Sequence, residues 1–274
     1  MSGRLPRPRD GAAALVTGAS AGIGEELARQ LAARGHTVVL VARRKARLNE
    51  LARELRAEGA RAEVVACDLA RERARDRLVT RIAELGLEID VLANNAGFAT
   101  GGPFHRTDAA REVEQVRVLV EAPVALAAAF AGGMVERRCG AILTVASTAA
   151  FQPLPWSAGY AAAKAHALAF SESLHEELRP LGVSVTALCP GPVRTDFWEV
   201  AGGDHPAQRS FPRQAWISSR HAARAGLAGL DRGDRIVVPG FAVRATTTLG
   251  RALPNAVRMP VVRRLLEPRE RAAS

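Results

Sequence analysis

Short apolar runs alternate with amphipathic stretches along most of the chain. The run at 12–17 is followed by Ile23, Leu27 and Leu31, which recur at helical spacing. Further strands are predicted at 37–41, 62–67, 90–93, 141–146, 184–188 and 235–238. Further helices are predicted at 45–57, 71–85, 108–137, 157–181 and 220–230. In the third of these, Pro123 predicts either a bend or a boundary. The alternation predicts an α/β protein in which helices cover both faces of a parallel sheet.

The pattern predicts one catalytic domain over residues 11–240, because neither an internal repeat nor a linker interrupts it. Residues 1–10 are predicted to form a disordered arm. The basic tail at 241–274 is predicted to pack on this domain or on a partner subunit, with an anionic membrane surface as the alternative. Apolar residues recur every four positions in the tail, but Pro254 and Pro260 argue against one unbroken helix.

A Gly-rich turn joins the first strand to the first helix. Its spacing is Gly18-x-x-x-Gly22-x-Gly24. Glycines in such a turn let backbone N–H groups approach a pyrophosphate at the helix N-terminus. The turn therefore predicts a dinucleotide site on a Rossmann-like, doubly wound sheet of about seven strands.

The end of the second strand indicates which dinucleotide would bind. Arg43 and Arg44 stand where an acidic residue would bind the ribose hydroxyls of NAD. Two guanidinium groups suit a 2′-phosphate instead, so NADP(H) is the predicted cofactor. The alternative is that both arginines only begin the second helix.

Tyr160 and Lys164 form a candidate catalytic pair. Tyr160 is the only tyrosine, and Lys164 is one of two lysines among 38 Lys and Arg residues; the other is Lys45. Positions i and i+4 share one face of a helix. An ammonium beside a phenol lowers the pKa of the phenol, which predicts an acid or base near neutral pH. The alternative for the pair alone is a half-buried tyrosine beside a snorkelling lysine.

Polar and Gly-rich segments directly follow several predicted strands. The carboxyl ends of parallel strands lie at one edge of a sheet, so we expect a ligand to bind there. Ser147 lies at one of these ends, thirteen residues before Tyr160, where its hydroxyl could hold a substrate carbonyl. The segments are 18–24, Asp68, 94–97, Ser147 and 190–195.

Together these residues resemble the short-chain dehydrogenase/reductase family over about residues 11–240. The matching motifs are Thr17-Gly18-x-x-x-Gly22-x-Gly24, Asn94-Asn95-Ala96-Gly97, Tyr160-x-x-x-Lys164 and Pro190-Gly191. The resemblance implies direct hydride transfer between nicotinamide C4 and a substrate carbon. It implies that Tyr160 is the acid/base, that Lys164 lowers its pKa and holds the nicotinamide ribose, and that Ser147 polarises the carbonyl. It also implies a homodimer or homotetramer.

The resemblance further implies a set of residues that contact the cofactor. Asp68 would contact the adenine, Asn94 the adenosine side of the pocket, and Thr195 the carboxamide. The full predicted set is Gly18, Ser20, Gly22, Ile23, Gly24, Arg43, Arg44, Asp68, Asn94, Ala96, Gly97, Tyr160, Lys164, Pro190, Gly191, Val193 and Thr195.

Two positions depart from the family pattern. Leu119 stands where the family usually carries an Asn whose main-chain carbonyl is thought to hold a relay water, and Leu119 retains that carbonyl. Ala146 replaces a frequent Ser. Three outcomes are open: a working relay, a slowed enzyme, or an NADP(H)-binding protein with little turnover. The intact Ser, Tyr and Lys favour the first. A sugar epimerase or dehydratase is disfavoured, because the chain lacks the larger C-terminal domain of such enzymes.

The aromatic residues indicate the substrate class. All twelve follow position 97, and eight lie in segments expected to border the substrate. These eight are Phe98, Phe104, Phe151, Trp156, Phe197, Trp198, Phe211 and Trp216. They predict an apolar pocket for a hydrophobic ketone, aldehyde or secondary alcohol. The alternative for each residue is that it packs in the core.

The net charge of +10 comes almost wholly from arginines beside Glu and Asp on predicted helices, which argues against nucleic-acid binding. Three scattered cysteines give no metal spacing and no disulfide framework, and they fit a reducing cytoplasm. No secretory signal is recognised at the N-terminus, and the apolar run at 122–135 is too short to span a bilayer. We therefore expect a cytoplasmic protein without a transmembrane segment or a metal.

Overall fold

The structure is a computed structural model that describes residues 5–195, 215–240, 243–244 and 255–267. Its first half contains β1 (Ala12–Thr17), α1 (Gly22–Ala32), β2 (Thr37–Ala42), α2 (Lys45–Ala57), β3 (Ala62–Ala66), α3 (Glu72–Glu84) and β4 (Glu88–Asn94). Its second half contains α4 (Ala109–Val116), α5 (Ala122–Glu136), β5 (Gly140–Val145), α6 (Ala158–Leu178), β6 (Val183–Leu188), β7 (Val193–Arg194), β8 (Ile217–Ser218), α7 (Ser219–Arg232), β9 (Ile236–Val237) and α8 (Asn255–Leu266).

Seven strands form one parallel sheet in the order β3-β2-β1-β4-β5-β6-β9. Leu15 of β1 pairs with Val39 of β2 on one side and with Leu92 of β4 on the other. The strand order reverses between β1 and β4, and the crevice above their carboxyl ends is where such sheets bind ligands. The predicted doubly wound, Rossmann-like sheet of about seven strands is confirmed.

The central strand β1 is buried along its whole length because helices cover both faces of the sheet. Val16 contributes to the core cluster that contains Leu27 of α1, and Leu15 to the cluster that contains Leu126 of α5. A strand buried on both faces is a continuous apolar run without alternation. This explains why the short runs in the sequence located the strands well.

The short strands β7 and β8 were not predicted. Val193 pairs with Ile217 in parallel, outside the main sheet. Two residues are too few to show the alternation of a strand, so only the tertiary pairing identifies them.

The long helical region changes its geometry rather than only bending. A π-helical turn at Arg117–Glu121 separates α4 from α5. Pro123 has no backbone N–H, so the carbonyl of Leu119 lacks the α-helical donor four residues on. The wider turn accommodates this missing bond, and π-turns of this kind often occur at functional sites.

The same region, 109–136, is long and apolar enough to cross a membrane by length and composition alone. It is also longer than the run at 122–135 considered above. However, Ala122, Leu126 and Met134 are buried in the core cluster beneath the sheet. This packing is that of a helix that covers one face of the sheet.

The expectation of a disordered N-terminal arm is wrong for residues 5–10. Leu5 packs against a core cluster. Nε of Arg9 lies 2.8 Å from Oδ2 of Asp90, whose side chain is only 2% exposed. Arg137 pairs with the same carboxylate at 3.1 Å. A buried carboxylate needs such partners, and Arg9 therefore fixes the arm to the beginning of β4.

The tail contains a helix that continues through Pro260, contrary to the prediction for that residue. Pro260 is exposed and removes only one hydrogen bond from α8. Val262 is buried, and Nη1 of Arg258 donates to the carbonyl of Phe151 at 3.3 Å. These contacts place α8 beside the segment that follows β5. Pro254 lies outside the described residues.

Candidate active site

Gly18, Gly22 and Gly24 form the turn between β1 and α1. Gly18 and Gly22 have φ angles of +67° and +61°, in the left-handed region that favours glycine. A Cβ on Gly18 would lie 2.7 Å from Nδ2 of Asn95, and one on Gly22 would lie 3.0 Å from Cγ2 of Thr195. Helix α1 begins without a side-chain cap, so its first N–H groups can bind an anion. The turn therefore fits a pyrophosphate.

We expect Gly24→Ala to lower the free energy of unfolding by about 1–3 kcal/mol, the usual cost of overpacking, and to weaken nucleotide binding. The new Cβ would overlap the Gly18 carbonyl and the Asn95 amide. Gly132→Ala on α5 is the matched control, because its Cβ would meet open space and alanine favours the helix. Urea unfolding compares the two variants, and equal stabilities would contradict the prediction.

Thr17 connects the Gly-rich turn to the segment after β4. Its hydroxyl accepts hydrogen bonds from the N–H groups of Asn95 at 2.9 Å and Ala96 at 3.0 Å, and donates to the carbonyl of Ala93 at 3.1 Å. Nδ2 of Asn95 donates to the Thr17 carbonyl at 2.9 Å. Neither residue was among the predicted site residues. A buried Thr at the end of a central strand is the signal that could have identified this contact.

The side chain of Asn94 is buried at the end of β4. Nδ2 donates to the carbonyl of Pro123 at 3.4 Å, and Oδ1 has no hydrogen-bond partner among the described residues. Its contact with a nucleotide stays a prediction. Asp68 is partly exposed at the end of β3, where it accepts from the N–H of Ala70 at 3.2 Å and pairs with Arg71 at 3.1 Å.

Arg43 and Arg44 differ in their partners. Nε and Nη2 of Arg44 donate to the hydroxyl of Ser20 at 3.2 and 3.1 Å, which holds this guanidinium against the Gly-rich turn. Nη1 of Arg43 lies 3.1 Å from Oε1 of Glu114 on α4. Both arginines therefore lie at the carboxyl end of β2, and their binding of a 2′-phosphate stays a prediction.

Tyr160, Ser147 and Lys164 lie together at the carboxyl edge of the sheet. The Tyr160 side chain hydrogen-bonds to Ser147. Oγ of Ser147 also accepts from the N–H of Ala149 at 3.1 Å, which orients the hydroxyl. Nζ of Lys164 donates to the carbonyl of Val145 at 2.6 Å and lies 5.8 Å from the centroid of the Tyr160 ring. Helix α6 thus presents both residues to the end of β5.

The pKa of Tyr160 differs from the expected direction. Burial raises it to about 12, although the hydrogen bond with Ser147 lowers it. Lys164 is itself only 5% exposed, and burial lowers the pKa of its ammonium to about 8. Desolvation of both groups therefore exceeds the predicted effect of the lysine charge on the phenol. At neutral pH Tyr160 is protonated, which suits a proton donor.

The Leu119 side chain lies against Gly97, close to Lys164. A Cβ on Gly97 would be 2.6 Å from Cδ2 of Leu119 and 3.9 Å from Nζ of Lys164. The isobutyl group therefore forms an apolar wall near the ammonium. Its own carbonyl is the one that Pro123 leaves without an α-helical donor.

The segment after β6 lies on the other side of the crevice. The carbonyl of Pro190 accepts from the N–H of Thr148 at 3.0 Å, which joins this segment to the one that begins with Ser147. Val193 is buried, and the Thr195 side chain lies so close to Gly22 that a Cβ there would be 3.0 Å from Cγ2 of Thr195. The predicted residues from 18 to 24 and from 190 to 195 therefore meet across the crevice.

The predicted aromatic residues have different environments. Phe98 is buried beneath the guanidinium of Arg111, which lies 4.4 Å from its ring centroid. Phe104 is exposed, and Phe151 and Trp156 are half-buried. The carbonyl of Trp156 accepts from the N–H of Gly102 at 2.9 Å. Trp216 is also half-buried, while Phe197, Trp198 and Phe211 lie outside the described residues.

Two further buried polar side chains, those of Gln115 and His175, form hydrogen bonds that hold the surroundings of the site. Oε1 of the buried Gln115 accepts from the N–H of Thr100 at 2.9 Å, which fixes the segment after β4; no sequence pattern indicates this contact. The buried His175 bonds to the carbonyl of Val185 at 2.7 Å, which joins α6 to β6. Within the described part of the chain, no group of His, Cys, Asp and Glu could hold a metal ion.

Comparison with known proteins gives the family. Residues 12–204 match the model of the short chain dehydrogenase family. An uncharacterized oxidoreductase of Myxococcus xanthus is 35% identical over 260 residues, which cover 92% of this chain and 96% of the relative. The chain therefore belongs to the short-chain dehydrogenase/reductase family, and it is an oxidoreductase.

Two solved structures are similar over nearly the whole chain. A short-chain dehydrogenase from Sphingobium yanoikuyae in complex with NADPH is 33% identical, with a TM-score of 0.77 and coverage of 96% of this chain and 98% of that chain. A bulky-bulky ketone specific alcohol dehydrogenase from Comamonas testosteroni is 30% identical, with a TM-score of 0.74 and coverage of 99% and 98%.

Proposed function

We propose that the protein is an NADP(H)-dependent oxidoreductase that interconverts a hydrophobic ketone or aldehyde and its alcohol, with Tyr160 as acid/base. The observation that carries this proposal is the hydrogen bond between Tyr160 and Ser147 at the carboxyl edge of the sheet. A carbonyl oxygen bound between these two hydroxyl groups would accept a hydrogen bond from Ser147 and a proton from Tyr160.

The cofactor would lie in the crevice, and its nicotinamide supplies or accepts the hydride when bound. The Gly-rich turn fits the pyrophosphate, and Arg43 and Arg44 would bind the 2′-phosphate. Lys164 would hold the nicotinamide ribose, and Thr195 the carboxamide. The remaining proposed contacts are Ser20, Ile23, Asp68, Asn94, Ala96, Gly97, Tyr160, Pro190, Gly191 and Val193. The NADPH-bound relative from Sphingobium yanoikuyae supports the choice of cofactor.

Two observations support a hydrophobic substrate. Phe151 and Trp156 are half-buried in the segment that joins Ser147 to helix α6. The relative from Comamonas testosteroni is named for its specificity for bulky-bulky ketones. We further propose a cytoplasmic homodimer or homotetramer. Val113 and Val116 on α4 are exposed, which supports a subunit contact.

We expect NADPH absorbance near 340 nm to fall when the protein meets a panel of apolar ketones and aldehydes, because the reduced nicotinamide is consumed. Polar sugars of similar size form the control panel. Turnover of the sugars with no turnover of the apolar ketones would contradict the substrate class.

Leu119 motivates a second candidate, an NADP(H)-binding protein with weak or no turnover. The Leu119 carbonyl, which Pro123 deprives of its α-helical donor, supports the enzyme, because the acceptor proposed for the relay is on the main chain. For the enzyme, we expect Leu119→Asn to change kcat by less than about 100-fold, the smallest contribution that a proton-transfer group usually makes. The second candidate is supported if the natural protein binds NADPH tightly without turnover and Leu119→Asn restores it.

A further inference from the structure

Glu114 lies at the centre of a series of charged contacts on α4. Its Oε1 is 3.1 Å from Nη1 of Arg43, and its Oε2 pairs with Arg111. Arg111 in turn lies over the ring of Phe98. Glu114 therefore connects the end of β2 to the segment that follows β4.

The Arg43–Glu114 ion pair crosses the crevice. Arg43 follows β2, Glu114 lies on the helix after β4, and β1 with its Gly-rich turn lies between those two strands. The Arg43 side chain is 57% exposed and that of Glu114 is 24% exposed. Solvent, and a ligand, can therefore reach the guanidinium from outside the crevice.

The positive charges of Arg43 and Arg44 are compensated to different extents by their partners. Arg44 donates to the hydroxyl and carbonyl of Ser20, which are neutral, so its positive charge is uncompensated there. The positive charge of Arg43 is compensated by a carboxylate. A dianionic phosphate on Arg43 would either displace that carboxylate or share the guanidinium with it, and in both cases the negative charge of Glu114 opposes the charge-assisted bond.

We propose that Glu114 is a specificity-determining residue that competes with the 2′-phosphate of NADP(H) for Arg43. This inference rests on the NADP(H) preference proposed above. Glu114 keeps Arg111 as a partner when Arg43 turns to the phosphate, so the carboxylate is not left unpaired. The carboxylate weakens binding of the phosphorylated nucleotide and has little effect on the nucleotide that lacks the phosphate.

The test measures the Kd of NADPH and of NADH for the full chain by isothermal titration calorimetry at one low ionic strength. We expect Glu114→Gln to lower the Kd of NADPH by about three- to fivefold, the size of a partly exposed ion pair. The Kd of NADH should stay unchanged. The amide keeps the shape of the side chain and removes only its charge.

Two controls separate the ion pair from general electrostatics. Glu84→Gln makes the same charge change on α3, where Glu84 pairs with Arg81 at 3.0 Å, and it should alter neither Kd. Arg43→Ala should weaken NADPH binding. In the Arg43→Ala background, Glu114→Gln should then have no further effect, because the competing pair is already absent.

Weaker NADPH binding by Glu114→Gln would overturn the proposal, since the carboxylate would then orient Arg43 rather than compete for it. An equal change in both Kd values, or in the Glu84→Gln control, would also overturn it. Failure of the underlying cofactor preference is distinguishable, because the natural protein would then bind NADH and NADPH equally and Arg43→Ala would change nothing. That result would overturn both proposals.

Discussion

Tyr160→Phe should lower kcat for ketone reduction by about 1,000-fold, within the range for loss of a general acid. Phenylalanine removes only the hydroxyl that bonds to Ser147, and the chain has no other tyrosine to replace it. The pKa of about 12 means that Tyr160 carries its proton at neutral pH, so reduction loses its proton donor in the variant. Steady-state assays with NADPH and an apolar ketone measure the change.

The control is nucleotide binding by the same variant. Tyr160→Phe leaves the Gly-rich turn and both arginines unchanged, so the Kd of NADPH should stay within about threefold of the natural value, less than a weak ion pair contributes. A variant that binds NADPH normally and retains more than about a tenth of the activity would remove Tyr160 from the chemistry.

Lys164→Met should lower kcat/KM for reduction by about 100-fold or more near neutral pH. The ammonium stabilises the negative charge that develops on Tyr160 as its proton leaves, and methionine has a similar length without the charge. The pKa of Lys164, lowered to about 8 by burial, gives the sign of the pH dependence. Below about pH 8 the ammonium is present, so activity of the natural protein should fall as the pH rises through that value.

In Lys164→Met this fall should disappear, and a low rate without a step near pH 8 should remain. Lys45→Met is the matched control, because Lys45 is the other lysine and is exposed at the start of α2. It should keep both the rate and the pH dependence. If activity of Lys164→Met still fell near pH 8, the fall would arise from the titration of a group other than Lys164.

The sequence located the fold and most of the candidate site because both depend on local patterns. Buried strands such as β1 are continuous apolar runs, and the Gly-rich turn, Ser147 and Tyr160 all follow from their positions after strands or on one helix. Pro123 predicts a bend or a boundary, but it does not by itself predict the π-turn at Arg117–Glu121, because its missing N–H affects the carbonyl of Leu119, one turn earlier.

What the sequence could not predict depends on distant contacts or on burial. Glu114 and Arg43 are 71 residues apart, and nothing in either local pattern indicates that they meet. The pKa of Tyr160 was predicted to fall because its neighbour is a lysine. The sequence does not show how deeply both groups are buried, and burial is the larger effect here. Arg9 likewise belongs to a polar segment whose anchor, Asp90, is distant in the chain.

The origin of the helix irregularity has a practical consequence for redesign. The missing α-helical hydrogen bond results from Pro123, which has no backbone N–H, and not from the side chain of residue 119. Residue 119 can therefore be varied to reshape the wall near Lys164, while its carbonyl still lacks an α-helical donor. Replacing Pro123 by alanine would allow a regular ladder to form and would close that acceptor whatever residue stands at 119.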